Sequence, residues 1–170
     1  MPRSRGVACV LACALAILAA CSGGSNTLDS KEVERAIRTQ LRRDFAGAPV
    51  GAAKCPAQIK KRTGKQSTCT AAVGNEPVPI TVTQTDRDPG FRIVREVAVL
   101  DVGKVQAFVQ TQYDQQVGVQ VTAACAPGKT VIVAKPQTTI ACTVTDSQGT
   151  TDTVQVLVSD TSGNIKIATI

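Results

Sequence analysis

Two stretches, DSKEVERAIRTQLRRDF at residues 29–45 and DVGKVQAFVQTQY at residues 101–113, decide how this chain is organised. In the first, Val33, Ile37, Leu41 and Phe45 recur every fourth residue, which is one apolar stripe along a helix. Arg35, Arg38, Arg42 and Arg43 fall largely off that stripe, toward solvent. Asp29 with Glu32 three residues on has the form of a capping box. The second stretch repeats the plan: Asp101 can cap, and Val102, Val105, Val109 and Tyr113 form the stripe, with Phe108 beside it.

Other landmarks follow each helix in the same order. Val33 and Val105 are 72 residues apart, Cys55 and Cys125 are 70 apart, and Cys69 and Cys142 are 73 apart. A duplication with small insertions is the simplest account of three offsets so nearly equal.

Downstream of each helix the pattern turns to short Val-, Ile- and Thr-rich runs separated by turn residues. Strands are expected over residues 50–55, 66–73, 78–85 and 91–97, and again over 117–124, 138–145, 153–158 and 165–169. A further short strand is expected at Val131-Ile132-Val133. TDRDPG, DSQG and DTSGN read as turns. Pro79 inside a strand implies an edge or a bulge. The expected fold class is therefore α+β: two similar units, each an N-terminal amphipathic helix packed on an antiparallel sheet of about four strands.

The N-terminus has a different character. Arg3 and Arg5 precede an apolar run from residue 6 to residue 20, the form of an export signal and too short for a span of about 20 residues. The run ends in Leu18-Ala19-Ala20-Cys21, which resembles the bacterial lipobox. That resemblance implies that Cys21 receives a diacylglyceryl group, with acyl chains such as palmitate, and becomes the first residue of the mature protein. The expected organisation is a lipoprotein signal peptide at 1–20, a lipid-anchored tether at 21–28, and α+β units at 29–98 and 99–170. Residues 22–28 span roughly 25 Å when extended. The expected location is the extracytoplasmic face of the cell membrane.

Cys9 and Cys13 lie in the signal, and Cys21 takes the lipid. Four cysteines remain, and an even remainder in an exported chain reads as disulfides. Four cysteines allow three connectivities. The unit layout favours one disulfide in each, Cys55–Cys69 and Cys125–Cys142, because neighbouring antiparallel strands bring such pairs within bonding distance. A closed loop of about 15 residues contributes roughly 3 kcal/mol in the chain-entropy account. That matters for units of this size with only four aromatic residues between them.

The order lipobox, amphipathic helix, Cys55-Pro56, Lys61 and Gly64, then Cys69 and a Val/Thr strand resembles an actinobacterial lipoprotein domain, domain-of-unknown-function family 4333 (DUF4333), in two copies. The second copy departs from the pattern, with Cys125-Ala126-Pro127 and with Lys135-Pro136-Gln137 where the Gly should stand. The resemblance implies an envelope lipoprotein and no established activity.

Chemistry-bearing motifs are few. The chain contains no His, which removes Ser-His-Asp and Cys-His sites. Without His or a C-x-x-C pair, the four cysteines do not have zinc-site spacing, so no metal is expected. Glu76, Asp86, Asp88 and Glu96 read as turn residues, and Ser67 near Lys65 as strand-edge residues. No cofactor and no enzymatic activity are expected.

Charge is uneven. Residues 22–97 hold 13 Lys/Arg against 8 Asp/Glu, whereas residues 98–170 hold 4 against 5. Lys54, Lys60, Lys61, Arg62 and Lys65 make a basic loop suited to anionic envelope polymer or phospholipid headgroups. Nucleic acid is excluded by export and by the scarcity of stacking aromatics. The expected function is a non-catalytic binding module in the cell envelope, contacting membrane, polymer or another envelope protein. The alternative is an inhibitor or sensor domain docking on an exported enzyme.

Overall fold

The computed structural model describes residues 26–85 and 90–169. The signal, Cys21 and most of the tether lie outside the described residues, as do Asp86 and Asp88. Among the described residues the fold is mixed, with two helices and sheets whose pairings are all antiparallel.

The first half begins with β1 (Thr27–Leu28) and α1 (Ser30–Asp44). Asp29 caps α1 with its carboxylate, accepting from the Lys31 N–H at 2.9 Å, one residue earlier than a capping box requires. Val33, Ile37 and Leu41 are buried, as their spacing demands, and Arg42 and Arg43 occupy the last turn, where cations oppose the helix dipole. Five strands follow: β2 (Val50–Lys54), β3 (Ile59–Lys60), β4 (Gln66–Val73), β5 (Glu76–Gln84) and β6 (Phe91–Arg95). Four of them form a sheet in the order β2-β4-β5-β6, and α1 lies against β2 and β4. β3 instead pairs with β1, through Leu28 opposite Ile59 and Thr27 opposite Lys60.

Pro79, and Pro77 before it, lie where β5 is an edge strand. β5 is an inner strand only from Ile80 to Gln84, where β6 covers it. The Gln84 N–H points toward β4, bonding Lys65 O at 2.9 Å. By alternation, positions 77 and 79 point their nitrogens the other way, toward the stretch that β6 leaves uncovered. Pro77 and Pro79 therefore cost the sheet no hydrogen bond there.

The second half has the same element order. β7 (Ala98–Asp101) precedes α2 (Val102–Val117), followed by β8 (Val121–Cys125), β9 (Val131–Ala134), β10 (Thr139–Asp146), β11 (Thr151–Val158) and β12 (Ile165–Thr169). Its sheet runs β12-β11-β10-β8, while β9 pairs with β7. Asp101 caps α2 through the Lys104 N–H at 2.9 Å. A strand is not formed at Val117. Gly118, at φ +75°, closes the helix with its N–H on Asp114 O, so α2 runs through Val117 and the strand waits until Val121.

Both disulfides are present, Cys55–Cys69 and Cys125–Cys142, with Cα–Cα distances of 4.3 and 4.4 Å. Cys125 stands directly opposite Cys142 across the ladder. Cys55 and Cys69 lie one step beyond the Lys54–Thr70 pair.

Two apolar cores result, and the β7–β9 ribbon lies between them. Val99 and Val131 belong to the first core, with Val133 packed against it. Ala98, Leu100 and Ile132 belong to the second. Alternate residues of one ribbon thus serve both halves, as the period-two pleat allows. β7 also spans the boundary expected between residues 98 and 99.

Candidate functional site

The basic loop gathers at one pole of the first half. β3 carries Lys60 into the pair with Thr27, and the Lys61 N–H donates to Asn26 O at 2.8 Å. Arg62 and Lys65 then close a turn through Lys65 N–H to Arg62 O at 2.9 Å. Gly64 supplies the positive φ of +76° that the turn needs, with open space where a Cβ would stand. The Gly64 N–H to Gln84 O and Gln84 N–H to Lys65 O bonds, both 2.9 Å, fix the loop to β5. Lys60, Arg62 and Lys65 are exposed and Lys61 is half-buried. The Cys55–Cys69 bond closes the base of the same loop.

Lys54 stands apart. It lies on β2 opposite Thr70, five strand positions from Lys65, which is about 17 Å along β4. The structure therefore brings together four of the five basic residues singled out in the sequence, on one backbone-tied loop.

The loop has a defined relation to the rest of the molecule. β1, the Asp29 cap and residues 60–65 lie at the N-terminal end of α1 and the start of β4. The C-terminal end of α1 and the β4–β5 turn lie at the other end, joined by the Gly74 N–H to Pro49 O bond at 2.8 Å. The second half docks on this far pole: Gly74 packs against Thr130 and Val131, and Glu76 pairs with Lys129 at 3.1 Å. The length of α1, about 22 Å, separates the poles. At the far pole Arg95 lies over the Phe45 ring, 4.7 Å from its centroid. Burial lowers the pKa of that guanidinium, and the nearby Asp44 charge works against the shift.

One polar group in this half is buried without a partner. The Gln84 side chain gives its N–H to Thr85 O, but its oxygen is unpaired among the described residues. No group of His, Cys, Asp or Glu suited to a metal occurs among the described residues, and no helix there is long and apolar enough to cross a membrane. Sequence reasoning missed a cleft of about 640 Å³ at the junction of the halves. Its walls come from chain segments far apart in sequence, so no motif could have marked it.

A family model described as Domain of unknown function (DUF4333) matches residues 8–89. The match begins in the apolar N-terminal run and ends between β5 and β6, before the second half. No curated protein and no solved structure matches the chain.

Proposed function

From the family-model match over residues 8–89, we propose that the protein is a non-catalytic cell-envelope lipoprotein. Cys21 carries the lipid, and the basic loop lies against anionic headgroups at the outer face of the cytoplasmic membrane. The observation that supports this reading is the β1–β3 pairing with its Lys61–Asn26 hydrogen bond. It ties the basic residues to the point where the chain leaves for Cys21. Asn26 is five positions after Cys21, a reach of about 18 Å at most. The paired chains of a diacylglyceryl group hold the protein at the bilayer, and a cluster of Lys and Arg beside the anchor adds attraction to anionic headgroups.

The second half is, in this reading, a diverged second copy held away from the membrane. Each half runs strand, helix and five strands, with the first and third strands paired and the other four in one sheet. The turns differ. Gly74-Asn75 is a two-residue turn with both φ positive, whereas residues 147–150 form a longer one.

Two assays test the proposal. Labelling cells with an alkyne fatty acid should mark the protein and lose the mark in Cys21→Ser. Cosedimentation of the unacylated chain with phosphatidylglycerol vesicles should weaken in Lys60→Gln/Lys61→Gln/Arg62→Gln and with added salt. Binding that ignores both the variant and salt would refute the headgroup contact. A single stoichiometric protein partner in crosslinked cells would favour the inhibitor or sensor alternative.

A further inference from the structure

The cleft at the junction of the halves combines features that a solvated crease does not need. Phe45 at the end of α1 and Phe108 on α2 both line it, with Val99 and Leu100 of β7 and Ile165 of β12 adding apolar wall. The whole chain has three Phe and one Tyr, and two of those four aromatic rings line this one cleft, both half-buried. Its volume of about 640 Å³ lies in the range of small-molecule sites, and a junction between packed units is where such sites occur.

The rim decides the class of ligand. It carries Arg43 and Asp44 on one side and Asp101 and Lys104 on the other. Asp101 caps α2, and Asp44 lies near enough to the half-buried Arg95 for its charge to act on that guanidinium. The two cations are exposed, and neither forms an ion pair among the described residues. An apolar floor beneath two unmatched cations complements a molecule with one apolar tail and one anionic head.

We propose that this cleft binds a single-chain amphiphile with a carboxylate head, its tail between Phe45 and Phe108 and its head held by Arg43 and Lys104. The Arg43 fork can take a carboxylate through two parallel hydrogen bonds, and Lys104 adds a point charge. The cleft lies at the pole away from the basic loop, so this binding is independent of headgroup contact and of acylation at Cys21.

Oleate is the probe, added to the whole chain carrying Cys21→Ser, with heat release read by titration calorimetry below the micellar concentration. One saturable site is expected. Arg43→Gln/Lys104→Gln should weaken it about tenfold or more, and methyl oleate, which lacks the charge, should bind similarly weakly. Ala46→Trp, at an exposed position of the lining, should obstruct the tail without disturbing the core. Circular dichroism of each variant checks that the fold is retained. No saturable binding by the unmodified cleft would overturn the proposal. So would binding unchanged in both variants, equal binding of methyl oleate, or a preference for an uncharged apolar peptide over oleate.

Discussion

Gly74 sits against Val131 so closely that a Cβ on Gly74 would lie 2.9 Å from Val131 Cγ2 and 2.7 Å from Thr130 Oγ1. Here the β4–β5 turn of the first half meets β9 of the second. Gly74 also holds φ +55°, where side chains are rarely tolerated. Gly74→Ala is therefore expected to cost about 2–3 kcal/mol, from strain and from overpacking together. Gly64→Ala, at φ +76° in open space, should cost only about 1 kcal/mol. Urea denaturation of the two variants compares them directly.

The ribbon shared by the two cores is expected to make the halves unfold as one cooperative unit. Val99 and Val131 are 7% and 2% exposed and complete the first core from outside its own stretch of chain. Val131→Ala should destabilise the whole chain by about 2 kcal/mol. It should lower the unfolding midpoint of both halves together, a single transition by near-UV and far-UV signals. Two separate transitions would show that the ribbon does not couple them.

These contacts also show what could be read from the chain beforehand. The stripes Val33-Ile37-Leu41 and Val105-Val109 and the long strands β4, β5, β10 and β11 follow local periodicity, so they were legible. The cysteine pairs were legible because each is brought together by adjacent strands of one sheet. β1, β3 and β7 are two to four residues long, too short for alternation to register. They exist only through partners about 30 residues away in sequence. Val117 misled because a β-branched residue before Gly resembles a strand start, while the left-handed Gly118 cap lets the helix continue. The basic residues were visible as composition, but their tie to Asn26 was not.

The Cys55–Cys69 bond encloses Lys60, Lys61, Arg62 and Lys65. Cys55→Ser/Cys69→Ser should lose about 2–4 kcal/mol of stability. It should also loosen the loop, seen as faster amide exchange at residues 59–65 and weaker binding to anionic vesicles. Cys125→Ser/Cys142→Ser should lose comparable stability while leaving vesicle binding intact wherever the fold survives.

Two turns in the second half carry acids whose pKa is depressed below the ordinary 3.8. Asp160 accepts from the Asn164 side chain at 2.6 Å, from the Asn164 N–H at 3.3 Å and from the Ser162 N–H at 2.8 Å. Asp146 accepts from the Thr150 and Gln148 N–H groups, both at 2.8 Å. A carboxyl that titrates lower in the folded chain than in the unfolded one stabilises the fold above its unfolded pKa. That contribution is lost as pH falls through the folded value. The urea midpoint should therefore drop on acidification below about pH 4, and the drop should be smaller in Asp146→Asn/Asp160→Asn. An identical acid profile in that variant would show that the turns do not contribute.

In the proposed arrangement the basic pole faces the membrane and the second half points away from it. A photo-reactive amino acid replacing Arg62 in intact cells tests it, against one replacing Gly149 in the β10–β11 turn at the far end of the second sheet. Irradiation should give phospholipid adducts at position 62 and none at position 149. Lipid adducts at 149 but not at 62, or adducts at 62 made only with protein, would rule out that orientation.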